Sequence, residues 1–441
     1  MGNFIFLILI VIEIAFAVLC IITKSNQQKV RNIIRIVTFI SFILLITLSI
    51  IDWSFRYYTL AALLTLLAVI GVVGLIKHKQ EKRPYKTVSV VMKTIGMMVI
   101  IFVVTLPAII FPQYEPINWT GPYQVATATY TYIDTQRIET YTKTGENRKL
   151  NVELWYPKNT DGTYPLIVFS HGALGIKKSN ETLYNELASH GYVVCSIDHT
   201  YQCLFTTDEN GYTTYVDKSF VKELTADNAE SNKQQSYEYY QKWMKVRIDD
   251  ISFVIDYMLE QAKNNASDTV YKHVNTTKIG IMGHSLGGSA ALGIGRMRKD
   301  VSAVIALEAP FMYDIRGIKN GQFVFIDEEY PIPVLNVYSD SSWDHLADWS
   351  QYAENYALLF NNNPTAFNVH ISGVGHFTLT DLALTSPFLT RVFNGKESTR
   401  STEDCLKMIN KICLEFFDCY LKGGNEFKLN GCIGDGSFCI I

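Results

Sequence analysis

The sequence predicts an α/β fold, a mostly parallel sheet with helices on both faces, preceded by four transmembrane helices. Four apolar stretches crowd the first 112 residues of the 441-residue chain. After residue 150, six short β-branched, apolar runs alternate with helical segments, which is the pattern of parallel strands buried on both faces. A strand, a turn with the sequence GHSLG and a helix of small residues follow one another over residues 278–295.

Each of the four apolar stretches is long enough to cross a membrane. A stretch of about 19 residues spans the hydrocarbon core at a rise of about 1.5 Å per residue. Glu13 within the first stretch, and the three stretches that follow, argue against a cleaved signal peptide. Glu13 is either a functional intramembrane charge or the partner of another polar group in the bundle. The stretches are Phe4–Ile22, Ile33–Ile51, Tyr58–Ile76 and Thr94–Pro112.

The charges of the connecting loops predict which side of the membrane each loop faces. The first and third loops are rich in lysine and arginine, whereas in the second Arg56 is balanced by Asp52. The positive-inside rule therefore places the first and third loops in the cytoplasm and both termini outside. We expect a multi-pass protein of the cell membrane, with everything after about Pro112 on the extracytoplasmic side. The basic residues of the two loops are Lys24, Lys29, Arg31, Lys77, Lys79, Lys82, Arg83 and Lys86.

Beyond a membrane domain of residues 1–112, the chain is expected to continue as a linker, 113–124, and one large domain, 125–441. Alternating residues at 126–132 and 150–156 predict a solvent-facing antiparallel pair at the start of the large domain. Long helices are predicted over 243–260 and about 402–421. The parallel strands are predicted at Leu166–Ser170, Tyr192–Ile197, Ile279–Met282, Ala303–Leu307, Val334–Tyr338 and Asn368–Ile371.

The segment 200–241 interrupts this alternation of strands and helices. It is polar, rich in Asp, Asn, Lys and Tyr, and has no strand signature. We interpret it as an insertion, which is either a cap over a functional site or a solvated connector.

Composition restricts partners and redox chemistry. The formal net charge of −3 argues against a nucleic-acid partner. Five of the eight cysteines lie near the C-terminus, and their spacing does not match a zinc site. In an exported domain, a disulfide from Cys432 or Cys439 to the last helix and free buried thiols are both compatible with this pattern.

The turn Gly283-His-Ser-Leu-Gly287 is the strongest functional feature. The apolar run Lys278–Met282 before it is typical of a buried strand, and Gly288–Gly295 after it is typical of a closely packed helix. This order is that of a nucleophile elbow, a strained turn that holds a serine hydroxyl beside a helix N-terminus. We therefore predict Ser285 as a catalytic nucleophile.

A serine hydroxyl needs a base within hydrogen-bond reach, and in folds of this layout the base follows the serine in the chain. Three histidines follow Ser285, namely His345, His370 and His376. His370 falls within a predicted strand and His345 in a polar loop. His376 lies in a glycine-flanked loop after the last predicted strand, where a base can face the elbow. We predict His376 as the base.

The acid that orients the histidine has two candidates. Glu308 follows the strand Ala303–Leu307, and Asp340 follows the strand Val334–Tyr338. Both lie at C-terminal strand ends, where the site residues of open parallel sheets collect. Spacing alone does not choose between them.

Two backbone amides are expected to form an oxyanion hole. One is the amide after the nucleophile, that of Leu286. The other is that of Ala173, in the loop His171-Gly-Ala-Leu-Gly175 after the first parallel strand. Gly172 lets this backbone turn inward, and His171 is expected to order the loop by hydrogen bonding.

Three stretches resemble the α/β-hydrolase superfamily, and most closely its platelet-activating-factor acetylhydrolase-like branch (isoform II, plasma type). Tyr164–Gly172, followed by Leu187–Tyr192, is similar to that family's oxyanion region and next strand. Lys278–Gly288 is similar to its elbow, and Ala306–Ala309 to the segment that carries its catalytic acid. The resemblance spans about Leu150–Gly423 and leaves the four apolar stretches outside it.

The resemblance implies the α/β-hydrolase fold, and it favours Glu308 over Asp340 as the acid, although the family usually has Asp there. It implies a membrane-anchored serine esterase that cleaves carboxylic esters, lipid-like or short-acyl, with a membrane lipid among the candidate substrates. No metal or organic cofactor is expected. Two alternatives are an extracytoplasmic acyltransferase with the same Ser285, Glu308 and His376 triad, and a non-catalytic membrane receptor with a hydrolase-like domain.

Overall fold

The computed structural model describes residues 1–77, 84–265, 268–360, 363–427 and the backbone of 438–440. Its contacts divide the chain into two units. The first is Met1–Glu115 with Leu384–Thr390, and the second is Pro116–Ala383 with Arg391–Ile441. The predicted linker 113–124 and the predicted cap stay predictions.

The first unit contains the four apolar helices. All four are long and apolar enough to cross a membrane, judged by length and composition. The second predicted span is displaced, because the chain leaves the helix after Thr47 and turns at Ser49, whose φ is 54°. The fourth helix begins at Thr87, before the predicted Thr94. The helices are α1 (Gly2–Thr23), α2 (Gln28–Thr47), α3 (Tyr58–Ile76) and α4 (Thr87–Ile110).

Glu13 has a charged partner within this unit. Its Oε2 lies 3.1 Å from Nη2 of Arg31 on α2. The Arg31 guanidinium also lies over the ring of Phe16, 4.9 Å from its centroid. The carboxylate in the first helix is therefore neutralised inside the bundle. Lys79, Lys82 and Arg83, on which part of the predicted orientation depends, lie outside the described residues.

The second unit is built on a nine-stranded sheet in the order β1-β2-β4-β3-β7-β8-β11-β12-β13. The five neighbouring pairs from β4 to β12 are parallel, and the pairs at both edges are antiparallel. The strands are β1 (Val125–Ile138), β2 (Asn147–Pro157), β3 (Tyr164–Ser170), β4 (Val193–Asp198), β5 (Phe205–Thr207), β6 (Thr213–Tyr215), β7 (Val274–His284), β8 (Val301–Leu307), β9 (Ile315–Lys319), β10 (Gln322–Phe325), β11 (Val334–Ser339), β12 (Ala366–Ile371) and β13 (Phe438–Ile440).

Helices cover both faces of this sheet, as the continuous apolar strands predict. A side chain at Gly280 of β7 would meet Phe417 of α13 on one face, 2.7 Å away. Helix α8, which follows β7, packs equally closely against α7. A side chain at Gly293 of α8 would lie 2.6 Å from Ile248 of α7. The predicted fold class is confirmed. The helices that follow α4 along the chain are α5 (Glu181–Ser189), α6 (Lys218–Ala226), α7 (Lys233–Asn264), α8 (Leu286–Met297), α9 (Asp340–Trp343), α10 (Ala353–Leu358), α11 (Leu382–Thr385), α12 (Pro387–Asn394) and α13 (Thr402–Lys422). Of these, α11 and α12 each include residues of both units.

The segment 200–241 is more ordered than its composition predicts. It contains the hairpin of β5 and β6, then α6, and the first turns of α7. The expectation of no strand there is wrong, because each strand has only three residues and is too short to show an alternating pattern. The hairpin of β9 and β10 and the edge strand β13 were not predicted either.

Six cysteines belong to the described side chains, and none of the six forms a disulfide: Cys20, Cys195, Cys203, Cys405, Cys413 and Cys419. Cys432 and the side chain of Cys439 lie outside the described residues, so the predicted tail disulfide stays a prediction.

Asp381 makes the stability of the second unit depend on pH. Its carboxylate is buried, and Oδ2 accepts the N–H of Thr182 in the first turn of α5 at 2.7 Å. Oδ1 has no hydrogen-bond partner among the described residues. Burial raises the pKa of Asp381 to about 7, which the bond from Thr182 lowers in part. A raised carboxyl pKa means that folding takes up a proton between about pH 4 and pH 7.

The stability contributed by protonated Asp381 is therefore present below about pH 4 and is lost as the pH rises towards 7. We expect Asp381→Asn to flatten this slope, by up to about 4 kcal/mol over the interval. Thermal unfolding of the full chain at pH 5 and pH 7.5 measures the effect, with exposed Asp161→Asn as the control. An equal pH slope in wild type and Asp381→Asn would contradict it.

Candidate active site

Ser285 lies at the turn between β7 and α8, as the GHSLG motif predicts. Its backbone has φ 53° and ψ −124°, a conformation that non-glycine residues rarely adopt. The turn is held at both ends, because the Ser285 N–H donates to Leu307 at 2.8 Å and its carbonyl accepts from Ser289 at 3.0 Å. The side chain is partly exposed in an otherwise buried stretch. The strained backbone thus carries the hydroxyl out of the core.

The two glycines of the motif allow this turn to pack closely. A Cβ at Gly287 would lie 2.0 Å from the carbonyl oxygen of Ser170, and one at Gly283 would lie 2.4 Å from the backbone of Gly287. Backbone atoms at these distances leave no room for a side chain. Glycine is required at both positions for the turn to form.

His376 lies against the elbow. Its ring is 4.6 Å, centroid to centroid, from that of His284, the residue before Ser285. Nε2 of His284 lies 3.1 Å from the His376 carbonyl oxygen, and the His376 N–H donates to Ser341 Oγ at 3.0 Å. Burial, and then the nearby His376, holds the pKa of His284 well below its usual range. A neutral His284 therefore anchors the backbone of His376.

Glu308 follows β8 and approaches His376. Its Oε1 is 3.9 Å from His376 Nδ1, which is longer than a hydrogen bond. The side chain is 1% exposed and its φ is 54°. Its carboxylate accepts the Oγ–H of Ser339 at 2.9 Å and also the N–H of Ser339. The Glu308 carboxylate is therefore buried, held by Ser339, and close to the His376 ring.

Asp340 has different partners. Its Oδ1 is 2.9 Å from Nε2 of His370, and the N–H of Gly373 donates to both carboxylate oxygens at 3.1 and 3.2 Å. Lys396 Nζ lies 3.7 Å from Oδ2. The second acid candidate therefore binds His370 and the loop after β12, and it forms no hydrogen bond or ion pair with His376 among the described residues.

The other two candidate histidines stack on tryptophans. The ring of His370 lies 4.7 Å from that of Trp343, and the ring of His345 lies 4.7 Å from that of Trp349. His370 also binds Asp340. Both rings are thus packed by neighbours outside the elbow.

The loop after β3 lies beside Ser285. A Cβ at Gly172 would be 3.3 Å from Cβ of Ser285, so only glycine lets the loop come this close. Leu174 has φ 59°, which completes the sharp turn. Within the described chain, the N–H groups of Ala173 and Leu286 donate no hydrogen bond to the protein. Neither of the two amides predicted to bind an oxyanion therefore has an acceptor in the part of the chain that the structure describes.

A second Ser–His–Asp chain is buried behind this loop. Ser170 Oγ is 2.8 Å from His199 Nε2, and His199 Nδ1 is 2.9 Å from Asp250 Oδ2. All three side chains are fully buried. Arg148 donates two hydrogen bonds to Asp250, of 3.0 and 2.7 Å. Because the Ser170 hydroxyl has no access to solvent, it cannot contact a substrate. The hydrogen-bonded series Ser170–His199–Asp250 is therefore structural.

Sequence reasoning missed Arg247, His199 and Asp250. Arg247 lies within the helix predicted at 243–260, where a charged residue is expected on the solvent face. Met244, Ile248 and Ile251 are buried on the same helix face. A basic residue placed among apolar residues at helical spacing was the available indication that it is buried.

Three side chains near the loop have donor atoms close enough to hold a metal ion. Among the described residues these are His171, Asp198 and Cys203, whose donor atoms all lie within 4.8 Å of one another. Asp198 already binds Lys177 Nζ at 2.9 Å, and both ring nitrogens of His171 have backbone partners. Burial raises the pKa of the Cys203 thiol, which disfavours the thiolate. The group does not fit a metal site.

The sheet order, with the elbow on β7 and site residues at the ends of β8 and β12, defines an α/β-hydrolase. The chain belongs to the platelet-activating factor acetylhydrolase, isoform II family, whose model matches residues 132–436. The predicted resemblance is therefore confirmed.

Individual relatives match over shorter segments. Cutinase 2 of Thermobifida cellulosilytica is 26% identical over 154 residues, 35% of this chain and 42% of the relative. The platelet-activating factor acetylhydrolase of Cavia porcellus is 22% identical over 285 residues, 60% of this chain and 59% of the relative. The chain thus spans less than two thirds of either relative's length.

A solved structure shares the fold. It is a ferulic acid esterase from Streptomyces cinnamoneus, with a TM-score of 0.56 and 19% identity, and the match covers 74% of this chain and 98% of that one. At this identity the likeness shows the fold alone.

Proposed function

We propose that this protein is a membrane-anchored serine esterase that hydrolyses carboxylic esters through Ser285, His376 and Glu308. The observation that carries the proposal is the buried Glu308 carboxylate 3.9 Å from Nδ1 of His376, which in turn packs against the elbow of Ser285. A contact of this length between the acid and the base is expected to shorten when substrate binds.

In the proposed reaction, His376 Nε2 takes the proton of Ser285 Oγ as this oxygen attacks the ester carbonyl carbon. Glu308 accepts the Nδ1–H of His376 and stabilises the imidazolium. The tetrahedral intermediate collapses, the proton passes from His376 to the leaving alcohol, and an acyl-serine remains. His376 then removes a proton from water, which attacks the acyl-serine to form a second tetrahedral intermediate. This intermediate collapses, His376 returns the proton to Ser285 Oγ, and the carboxylic acid is released.

The N–H groups of Ala173 and Leu286 are proposed to bind the oxyanion of both intermediates. Support comes from the absence of an acceptor for either N–H among the described residues, and from the close approach of Gly172 to Ser285. Preorganised donors of this kind are worth about 10²–10³-fold in kcat each.

The acyl group is proposed to be apolar, either short or lipid-like. Three apolar side chains in or next to the loop His171–Gly175 (the oxyanion loop) are exposed, namely Leu174 at 36%, Leu204 at 49% and Phe205 at 40%. The segment that contains Leu204 and Phe205 is bound to the oxyanion loop, because the Leu204 N–H donates to the carbonyl oxygen of Gly175 at 3.2 Å. The names of the relatives, cutinases and platelet-activating factor acetylhydrolase, are consistent with an apolar ester.

The four apolar helices are proposed to anchor the enzyme in the cell membrane, with the second unit outside the cytoplasm. Their length and composition support a membrane span, and the basic first loop supports the orientation. An esterase held in this way would act on esters outside the cell or in the outer leaflet.

One experiment tests activity and orientation together. Intact cells that express the full chain are given a membrane-impermeant short-acyl ester, beside cells that express Ser285→Ala. We expect hydrolysis by wild type alone, with free carboxylic acid as the product. Hydrolysis only after lysis would contradict the orientation, and wild-type activity no higher than that of Ser285→Ala in both preparations would contradict the esterase.

A further inference from the structure

The carbonyl oxygen of Gly172 is held by three donors. His171 Nδ1 lies 2.6 Å from it. The N–H of Gly175 donates to it at 3.1 Å, and Arg247 Nη2 at 3.4 Å. Arg247 also donates to the carbonyl of His171. Two consecutive peptide groups of the oxyanion loop are therefore bound by one guanidinium.

This carbonyl belongs to the same peptide group as the N–H of Ala173. In a trans peptide the C=O and N–H point in opposite directions. Donors that fix the Gly172 carbonyl on the core side therefore direct the Ala173 N–H to the opposite side. Ser285 lies close by, because a Cβ at Gly172 would be 3.3 Å from that of Ser285.

Arg247 is a buried cation without an anionic contact. Its side chain is fully buried, and its hydrogen bonds go to neutral acceptors, including Gln202 Oε1 at 2.8 Å and Ser170 Oγ at 3.3 Å. Among the described residues, no carboxylate oxygen lies within 4.0 Å of an Arg247 nitrogen. The nearby Asp250 is bound by Arg148 instead. Burial lowers the pKa of Arg247 to about 10, so it stays protonated at neutral pH. Its positive charge is therefore directed at the loop.

His171 is suited to the same task as a neutral ring. Its Nε2 accepts the N–H of His199 at 3.3 Å, which leaves the proton on Nδ1, where it faces the Gly172 carbonyl. Burial, and then the charge of Arg247, holds the pKa of His171 well below its usual range. The ring thus donates at one nitrogen and accepts at the other.

We propose that Arg247 and His171 are positioning residues of the oxyanion hole, which aim the Ala173 amide at the developing oxyanion by holding the Gly172 carbonyl. Arg247 adds a positive charge behind that amide, with no carboxylate within 4.0 Å of it among the described residues. The inference rests on the proposed esterase function and goes beyond it, since neither residue touches substrate.

The test compares Arg247→Gln and Arg247→Lys with Arg296→Gln, a mostly buried arginine that binds Asp314 at the far end of α8. We expect Arg247→Gln to lower kcat by about 10- to 100-fold. KM should change by less than about threefold, because the interaction is made in the transition state. The affinity for a trifluoromethyl ketone, which forms a tetrahedral adduct with Ser285, should fall by the same factor as kcat/KM.

A pair of His171 variants tests the inference if the Arg247 variants do not fold. His171→Asn keeps an N–H near the position of Nδ1, whereas His171→Leu removes it at similar volume. We expect His171→Asn to retain most of the kcat that His171→Leu loses.

Three results would overturn the inference. They are equal activity of His171→Asn and His171→Leu, a loss confined to KM, and a loss in Arg296→Gln that matches Arg247→Gln. An inactive wild type would overturn the esterase proposal and this inference together, whereas an active wild type with unaffected variants would overturn the inference alone.

Discussion

Replacing Ser285 with alanine is expected to lower kcat for ester hydrolysis by about 10⁴-fold or more. Alanine removes the only atom that the proposed reaction acylates, while the oxyanion amides and the binding surface stay in place. The residual rate should therefore be that of substrate held near water. Ester turnover by the purified full chain measures it.

The matched control is Ser170→Ala, because Ser170 has its own histidine and aspartate partners. Its hydroxyl is fully buried, so it cannot be acylated. We expect a loss of at most about tenfold, through its contact with Arg247. A Ser285→Ala variant that keeps more than a hundredth of the wild-type rate would contradict the assigned nucleophile.

The second large effect is expected from Glu308→Gln. The amide keeps the shape of the side chain but has no charge to stabilise the imidazolium. It also fixes the wrong tautomer of the histidine. The equivalent change in a Ser–His–Asp triad lowers kcat by about 10⁴-fold. We expect a loss of about 10²–10⁴-fold in kcat at unchanged folding. Glu308→Asp should retain part of the activity, because it keeps the charge.

Asp340→Asn provides the matched control for the acid. Its carboxylate binds His370 and the N–H of Gly373, so its loss should lower stability and leave kcat within a few-fold of wild type. Steady-state kinetics of both variants, with thermal unfolding beside them, separates the two effects. A large loss of kcat in Asp340→Asn with an active Glu308→Gln would assign the acid to Asp340.

Much of the fold could be predicted from sequence because the central strands are continuous apolar runs. The run at Leu166–Ser170 became β3, fully buried, and the run at Val334–Tyr338 became β11. The hairpins of β5 with β6 and of β9 with β10 were not predicted, because strands of three to five residues are too short to show an alternating pattern of apolar and polar residues. The end of the second apolar helix was also misplaced, since a turn at Ser49 is set by backbone conformation and not by hydropathy.

Those parts of the candidate site that local sequence determines could be predicted. Those parts that depend on contacts between distant residues could not be decided from sequence. Ser285 and the oxyanion loop are recognisable because strained turns need glycine at defined positions. The choice between Glu308 and Asp340 depends on which carboxylate faces His376, and that is decided by the packing of β8, β11 and β12. Arg247 was missed because a charge on an amphipathic helix is expected in solvent unless a buried partner is known.

The central claim is that Ser285 is an activated nucleophile. Labelling of the folded full chain with a fluorophosphonate probe, followed by peptide mass spectrometry, tests it most directly, with Ser285→Ala and His376→Ala beside wild type. We expect one adduct, on Ser285, in wild type and none in either variant. A folded wild type that stays unlabelled, or that carries the adduct on another serine, would contradict it.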